Sequence, residues 1–349
     1  MRVLICGAGA IGASIARCLA ERGAEPVLIE RAGIANAASG KSGGFLARDW
    51  CDGGPLAALA RRSFDLHGVW AEESADGWGY RRLDTFAGYP GAGGPGLPWL
   101  ADQVRLHGRL GDPSTTAQVH PALFTKAMAR ASGAEIIAGE VTGLIRHGEA
   151  VRGVAVGGEP VEGDAVVIAM GPWSILAARW LSLPAVYGLK GHSLVFRTGD
   201  AVPPQSLFAD VMEADGTQQS PEVFPRADGT TYVCAISSES PLPVDPADVA
   251  PDDGAIERLE TICRELSPVL ARSEIVARQA CYRPVTRDGL PLIGAVPGAP
   301  GAYVATGHSV WGILNAPATA EAMAELILDG RSSLDLSPFR PDRLPPATI

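Results

Sequence analysis

The sequence predicts an α/β fold in which a domain built on a parallel sheet is interleaved with an antiparallel-sheet α+β domain. The chain has 349 residues, which exceeds one typical domain of roughly 100 to 200 residues. Residues 2–30 have the pattern of a strand, a glycine turn, a helix and a second strand, whereas residues 185–236 contain the alternating apolar runs of antiparallel strands. No low-complexity linker separates the two patterns, so we expect the domains to be interleaved rather than tandem.

Composition and charge restrict the partners. Hydrophobic residues make up 46% of the chain and charged residues 19%, and the formal charge is −10 without any Lys/Arg run, so nucleic acid and anionic membranes are poor partners. The six cysteines form no CxxC pair and no metal-ligand spacing, which predicts a reducing, cytoplasmic location and no metal. Residues 3–20 are nearly uncharged, but a strand, a glycine turn and a helix explain them better than a signal peptide.

The glycine turn near the start has the spacing of a dinucleotide-binding motif. A short apolar run leads into the six residues Gly7, Ala8, Gly9, Ala10, Ile11 and Gly12. Gly7 allows the tight turn, Gly9 lets the backbone approach a pyrophosphate, and Gly12 lets helix and strand pack closely. A second apolar run ends at Glu30, where a carboxylate can accept hydrogen bonds from ribose hydroxyls. This is the opening of a Rossmann fold, with the pyrophosphate on the helix N-terminus.

The remaining elements are predicted from periodicity and turn residues. We predict helices at Pro55–Glu73, Pro121–Ala131, Ile256–Leu270 and Pro317–Leu328. We predict short strands within residues 134–145 and strands at Val161–Met170, Ile275–Pro284 and Ala302–Thr306. Asp228-Gly229 predicts a hairpin turn between the runs Val223-Phe224 and Tyr232-Val233. The Pro-rich tail after Gly330 is predicted to be a loosely ordered strap.

Three further segments carry candidate chemistry. Residues 31–44 supply small residues, hydroxyls and amides that could close on a flat ring system, although an ordinary Gly/Ser loop has the same composition. Residues 281–294 read CYRPVTRDGLPLIG, and residues 303–313 read YVATGHSVWGI. The last two segments are specific in combination.

With these segments the chain resembles the D-amino-acid oxidase superfamily of flavoproteins, near its glycine oxidase and monomeric sarcosine oxidase branches. The resemblance covers nearly the whole chain, through GAGAIG with Glu30, ASxxSGG, MGPWS, RPxTxDGxPxIG and GHxxxG. It implies a Rossmann-type FAD-binding domain interleaved with an antiparallel-sheet α+β substrate domain. The first would comprise residues 1–80, 134–182 and 276–349, and the second residues 81–133 and 183–275.

The resemblance also implies an activity. In this superfamily FAD takes a hydride equivalent from the carbon that bears an amine, which gives an imine, and O2 commonly reoxidises the flavin to yield H2O2. A dehydrogenase that passes electrons to a carrier is an alternative. An NAD-dependent dehydrogenase is a second alternative, which would leave the ASxxSGG and GHxxxG segments unexplained. A flavin-binding protein without catalysis is a third, against which the presence of Arg283 and His308 speaks.

The resemblance assigns site residues. Those implied to bind FAD are Gly7, Ala8, Gly9, Ala10, Ile11, Gly12, Glu30, Arg31, Ser39, Ser42, Gly43, Gly44, Val141, Gly171, Gly307, His308, Gly312 and Ile313. Those implied to act in catalysis are Arg283, Glu222 and His308. Arg283 matches the arginine that pairs with the substrate carboxylate in a two-pronged geometry, although a structural ion pair is an alternative for it.

Two positions depart from the glycine oxidase pattern. Val310 occupies the position of a second carboxylate-binding arginine, and Glu222 occupies that of an active-site tyrosine. Glu222 either meets a cationic group of the substrate or pairs with Arg226, and both readings stay open. The loss of a cation and the gain of an acid disfavour a simple α-carboxylate ligand, so the substrate is a small amine or amino acid that the sequence does not specify.

Cys281 raises the question of how FAD is attached. It aligns with the cysteine that holds flavin covalently in monomeric sarcosine oxidase, whereas a buried structural cysteine is the alternative. We favour noncovalent FAD, because branches with the RP segment usually bind it so.

Overall fold

The structure is a computed structural model, which describes residues 1–74, 77–91 and 95–348. Its α-helices are α1 (Ala10–Glu21), α2 (Ala57–Glu73), α3 (Pro121–Ala131), α4 (Ala255–Leu266), α5 (Pro268–Arg272) and α6 (Gly312–Asp329). Short 3-10 turns lie at Gly171–Arg179, Gly199–Ala201, Pro246–Asp248, Ser309–Trp311, Ser337–Phe339 and Pro341–Arg343. Within these residues no helix is long and apolar enough to cross a membrane.

A six-stranded sheet carries the glycine turn. In order across the sheet, its strands are β20 (Leu292–Ala295), β21 (Ala302–Thr306), β12 (Ala165–Ile168), β1 (Arg2–Cys6), β2 (Glu25–Glu30) and β8 (Glu135–Ala138). All neighbours pair in parallel except β20, which is antiparallel to β21. Val3 and Ile5 pack in the core formed with α1 and α6, while Leu4 and Cys6 pack on the opposite face. Burial on both faces is typical of parallel sheets.

A seven-stranded sheet forms the other main layer. Its strands are, in order, β19 (Glu274–Val285), β13 (Tyr187–Arg197), β18 (Thr230–Ser238), β17 (Glu222–Pro225), β14 (Gln205–Ala209), β5 (Asp84–Pro90) and β6 (Val104–Gly111). The pairs are antiparallel except for β14 with β5. Leu194 and Val233 pack with α4, whereas Val195 and Tyr232 belong to a separate cluster on the other face. This alternation leaves one face for the cleft described below.

Three small sheets complete the fold. One comprises β11 (Glu159–Glu162), β10 (Ala150–Val156) and β9 (Val141–His147). Another comprises β3 (Phe45–Ala47), β7 (Thr116–Gln118) and β4 (Arg81–Arg82). The third pairs β15 (Val211–Met212) with β16 (Gln218–Gln219).

Several predicted elements are confirmed, and two that were predicted as single elements are each divided in two. The helix at residues 121–131, the strand at residues 302–306 and the hairpin around Asp228-Gly229 are present. The single strand predicted over residues 161–170 is instead β11 and β12, because Gly163 and Asp164 turn the chain and bond to the carbonyls of Arg152 and Arg2. The helix predicted over residues 256–270 is α4 and α5. It breaks because Pro268 has no N–H to donate and Ser267 is extended.

Helix α6 begins at Gly312, five positions before the predicted start at Pro317. Pro317 lies inside the helix and cannot donate to the carbonyl of Ile313. Nε2 of His67 donates to that carbonyl instead, at 2.9 Å. The hydroxyl of Ser63 accepts from the amide of Ala318 at 3.0 Å. Two side chains of α2 therefore hold the irregular first turns of α6.

The tail after Gly330 and the strand at the predicted domain boundary both differ from the prediction. The tail is more fixed than predicted. Arg343 pairs with Asp288 (Nε–Oδ2 2.7 Å), and an isolated antiparallel β-bridge joins Pro346 to Pro184. Strand β19 crosses the predicted boundary at residue 276 and pairs along its length with β13 of the seven-stranded sheet. The division into domains otherwise stays a prediction.

Candidate active site

A cleft lies between the carboxyl ends of the parallel strands and one face of the seven-stranded sheet. The parallel strands supply the segments just after β1, β2, β12 and β21, where ligands of open α/β sheets bind. The seven-stranded sheet supplies Phe208, Glu222, Phe224, Tyr232, Cys234, Cys281 and Arg283. All the predicted site residues line this cleft except Ala8 and Gly12, which are buried beneath it.

The glycine turn is closed against neighbouring backbone. Gly7 has a φ of +108°, and a Cβ on it would lie 2.4 Å from the carbonyl oxygen of Ala169. A Cβ on Gly12 would lie 2.0 Å from the carbonyl oxygen of Gly7. The turn therefore brings α1 onto β1 only because both residues lack a side chain.

Glu30 holds the turn from the end of β2. Its carboxylate accepts from the amide of Ala8 at 2.9 Å and from the amide of Ala32 at 2.8 Å. The neighbouring Arg31 is tied to Asp245 (3.0 Å) and Glu140 (3.4 Å). The structure thus places both residues at the cleft, while their contacts with a ribose stay a prediction.

The loop from Ser39 to Gly44 fits the role predicted for it. Ser39 Oγ accepts from the amide of Ala10 at the start of α1, at 2.9 Å. Ser42 Oγ is buried and lacks a hydrogen-bond partner within the described parts of the chain. Gly44 has a φ of +76°, and a Cβ on Gly43 would lie 2.2 Å from the ring of Phe224. An orphan hydroxyl and a side-chain-free backbone at the cleft fit a flavin dinucleotide, which these residues would hold by amides and hydroxyls.

The C-terminal turn closes the opposite end of the cleft. Gly307 has a φ of +77°, and Gly312 and Ile313 form the start of α6, whose free amides favour negative charge. His308 is buried and its Nε2 lies 3.0 Å from Thr319 Oγ1. Burial lowers the pKa of His308 to about 3, so its ring is uncharged near neutral pH. Val141 and Gly171 line the cleft as predicted.

Strand register places Glu222 in the substrate-facing wall. Glu222 of β17 lies between Phe208 of β14 and Cys234 of β18. Its Oε2 accepts a hydrogen bond from Cys234 Sγ at 3.5 Å. Burial raises the pKa of Glu222, and the charge of Arg283 and the Cys234 hydrogen bond oppose this rise. The guanidinium of Arg226, the alternative partner, donates to the carbonyl of Ser42 at 2.9 Å, and the charge of Arg283 rather than that of Arg226 acts on Glu222.

Arg283 extends across the same wall. Its guanidinium donates to Ser237 Oγ at 2.9 Å. It passes over Gly191 of β13, where a Cβ would lie 3.2 Å from one guanidinium nitrogen. Among the residues that the structure describes, Arg283 forms no ion pair, although the charge of Glu222 acts on it from within the same wall. A half-buried cation without a carboxylate partner is available to an anionic ligand.

Cys281 and Val310 complete the predicted positions. Cys281 lines the cleft as a free thiol, and burial raises its pKa, so it is protonated near neutral pH. Val310 lies at the cleft with 58% of its surface exposed. Among the described residues that line the cleft, the arginines are Arg31 and Arg283. No further arginine replaces the one that the glycine oxidase pattern has at the position of Val310.

An aromatic wall beside Glu222 was missed by the sequence analysis. It comprises Phe45, Trp50, Phe208, Phe224 and Trp311. Ring centroids lie 5.2 Å apart for Phe45 and Phe224, 4.9 Å for Trp50 and Phe208, and 6.3 Å for Trp50 and Trp311. The rings come from distant parts of the chain and have no common spacing. The only signal in the sequence was the position of Phe224 and Trp311 inside segments already singled out.

The chain belongs to the family described as FAD dependent oxidoreductase, which matches residues 2–326. Within it the chain falls in the D-amino-acid oxidase superfamily, in the glycine oxidase-like branch. The alternative of an NAD-dependent dehydrogenase is therefore wrong, because the match to an FAD family spans both the nucleotide-binding and the substrate-facing segments.

Individual relatives agree with this placement. The chain is 29% identical to a glycine oxidase of Pseudomonas aeruginosa, over 97% of this chain and 98% of the relative. It is 28% identical to a putative oxidoreductase of Schizosaccharomyces pombe, over 94% of each chain. The crystal structure of glycine oxidase from Geobacillus kaustophilus superposes with a TM-score of 0.83 at 27% identity, covering 98% of this chain and 99% of that one.

Proposed function

We propose that the protein oxidises the C–N bond of a small amino acid to an imine, with noncovalently bound FAD. The observation that supports the substrate class is Arg283, a half-buried guanidinium in the cleft whose hydrogen bond goes to a hydroxyl, that of Ser237. A planar carboxylate can accept two parallel hydrogen bonds from a guanidinium, so the carboxylate of an amino acid is the ligand it suits best.

The residues of the cleft would have separate roles in binding the cofactor and in orienting the substrate. The glycine turn, Glu30 and the loop of Ser39 and Ser42 would hold the dinucleotide. FAD, when bound, supplies a two-electron acceptor for the hydrogen on the carbon next to nitrogen. Arg283 would orient that carbon by fixing the carboxylate, and the aromatic wall would exclude water from it. The free amides at the start of α6 would stabilise negative charge at that end of the cleft.

Two finer assignments belong to the same proposal. Attachment of FAD is noncovalent, because the protonated Cys281 is a poor nucleophile for forming a thioether. Oxygen is the electron acceptor, which would give H2O2. The support for oxygen is the likeness to proteins called glycine oxidase at 29% and 27% identity over nearly the full chain.

The test is an absorbance spectrum followed by anaerobic bleaching. Purified protein should show a flavin band that passes into the supernatant on acid precipitation. Glycine, D- and L-alanine and other α-amino acids should bleach the band, whereas the corresponding amines without a carboxylate should bleach it poorly. Readmission of air should restore the band and produce H2O2. If only an added electron carrier restores it, the oxidase assignment fails and a dehydrogenase takes its place.

Arg283→Lys tests the carboxylate contact in the same assay. Lysine keeps the charge but cannot make two parallel hydrogen bonds, so kcat/KM for amino acids should fall by about 10- to 100-fold. The matched control is Arg278→Lys on the same strand, since Arg278 pairs with Glu260 at 2.9 Å outside the cleft. Equal kinetics in both variants would contradict a carboxylate role for Arg283.

A further inference from the structure

The substrate-facing wall holds two opposite charges that interact without pairing. The charge of Arg283 acts on Glu222, since it opposes the rise that burial causes in the pKa of that carboxyl. Yet Glu222 accepts its hydrogen bond from Cys234, and Arg283 donates to Ser237. In the described part of the chain neither group forms an ion pair with a protein partner. A ligand that carries both charges would satisfy both groups.

Strand order explains how the two groups approach each other. Strands β13 and β18 separate β19, which carries Arg283, from β17, which carries Glu222. Adjacent strands lie about 4.8 Å apart, so the backbones of β19 and β17 are too distant for direct contact. The long side chain of Arg283 crosses β13 over Gly191 and reaches Ser237 of β18. Its guanidinium thus ends next to the row that contains Cys234 and Glu222.

We propose that Glu222 binds the ammonium group of a zwitterionic α-amino acid and accepts the proton that this group must lose before oxidation. The proposal rests on the proposed function, because Arg283 holds the carboxylate of the same substrate. Ammonium and carboxylate are separated by one carbon in an α-amino acid, which suits two charged groups on one wall. Glu222 stands where the glycine oxidase pattern has a tyrosine, so in this protein a carboxylate takes the position of a phenol beside the substrate amine.

The proton step balances without an added reactant. One N–H bond of the ammonium breaks and its proton moves to a carboxylate oxygen of Glu222, which gives a neutral amine and a carboxylic acid. The neutral amine that results has the free lone pair that oxidation at the adjacent carbon requires, and bound FAD would supply the two-electron acceptor for the hydrogen of that carbon. Glu222 releases its proton to solvent after the product leaves.

The surroundings of Glu222 suit a proton acceptor. Of the titratable groups that line the same wall, Cys234 on β18 and Arg283 on β19 act on Glu222, while Tyr232 and Cys281 line the wall without a hydrogen bond to it, and β14 presents Phe208. Cys234 donates to one carboxylate oxygen, Oε2, and so leaves Oε1 for the ligand. The aromatic wall keeps water away, so a proton taken from the substrate is not lost to solvent during the reaction.

Glu222→Gln is the first test, made on the FAD-loaded enzyme by stopped-flow bleaching with glycine and with D- and L-alanine. In the wild type the second-order rate of bleaching should be nearly constant from pH 7 to 9. In the variant it should rise about tenfold per pH unit, because only the neutral fraction of the amine reacts, with a loss of about a hundredfold at pH 7. The matched control is Glu274→Gln on β19, where Glu274 pairs with Arg197 on the surface.

Calorimetry gives a readout that does not depend on turnover. The probe is 2-aminoisobutyrate, which has no α-hydrogen and cannot be oxidised. Binding to the wild type in two buffers of different ionisation enthalpy should release close to no protons, because Glu222 takes the proton of the ammonium. Binding to Glu222→Gln should release about one proton at pH 7, because only the neutral amine binds. Equal proton release in the two proteins would overturn the proposal.

Cys234→Ala provides a second variant in case Glu222→Gln does not load FAD. Loss of the S–H donor destabilises the carboxylate, so the acid limb of the bleaching profile should move to higher pH. An unmoved limb would overturn the role of Glu222. Failure of the wild type to bleach with any amino acid would instead contradict the proposed function, so the two failures are distinguishable.

Discussion

The two walls of the cleft are built in different ways. The nucleotide-facing wall is dominated by consecutive residues, since one turn and one loop supply Gly7, Gly9, Ser39 and Ser42. The substrate-facing wall takes single side chains from β14, β17, β18 and β19, which strand pairing brings together. The first wall therefore depends on backbone that side chains must not obstruct. The second depends on the register of the sheet and on the reach of side chains across it.

The largest expected effect is on the nucleotide-facing wall. Gly12→Ala places a Cβ 2.0 Å from the carbonyl oxygen of Gly7, so α1 must move away from β1. Overpacking of this kind costs about 3 kcal/mol. Where the strain is relieved by moving the start of α1 away from the cleft, the same energy lost from FAD binding is roughly a hundredfold in affinity. The flavin-to-protein absorbance ratio after dialysis measures it.

A control for Gly12→Ala is Gly143→Ala on β9, where an added Cβ meets no atom within 4 Å and φ is not positive. Its flavin content should equal that of the wild type. Full retention of FAD by Gly12→Ala would show that the glycine turn tolerates displacement of α1.

The difference between the walls also explains what could be predicted. The turn at Gly7 and the carboxylate of Glu30 could be predicted because the motif to which they belong is defined by its spacing along the chain. The partner of Arg226, the carbonyl of Ser42, lies 184 positions away and no local pattern points to it. The start of α6 was predicted too late, at Pro317, because a proline usually marks the first turn of a helix. The side chains of His67 and Ser63, which compensate for the proline inside α6, belong to a distant helix.

Two buried histidines, His308 in the C-terminal turn and His67 on α2, should make stability depend on pH. Burial lowers the pKa of His67 to about 4 and that of His308 to about 3, from an ordinary 6.5. The unfolded chain therefore binds more protons below pH 6.5, so stability is present above that pH and is lost as the pH falls toward 4. Each histidine contributes a slope of up to about 1.4 kcal/mol per pH unit.

Urea unfolding between pH 4 and 7 measures this slope. His67→Gln removes one titrating group, so its slope should be less steep than that of the wild type by up to about 1.4 kcal/mol per pH unit, while its amide can still donate to the carbonyl of Ile313. Asp288, whose pKa the Arg343 hydrogen bond lowers to about 2, acts only below about pH 4. His120, whose pKa burial lowers, and Glu222, whose pKa burial raises, do act in this range, but they contribute equally to both proteins and cancel in the difference between the two slopes. An unchanged slope in the variant would contradict a buried, uncharged His67.

The smallest expected effect is on the substrate-facing wall, at Gly191. An alanine methyl there would lie 3.2 Å from a guanidinium nitrogen of Arg283, which must shift by a few tenths of an ångström. Such a shift weakens the carboxylate contact without removing it, so KM for amino acids should rise about three- to tenfold with kcat nearly unchanged. Gly108→Ala on β6 of the same sheet, where an added Cβ meets nothing within 4 Å, should leave both constants unchanged. If Gly191→Ala raised KM equally for amines without a carboxylate, the methyl would be obstructing the cleft itself, and Gly191 would have no role in positioning Arg283.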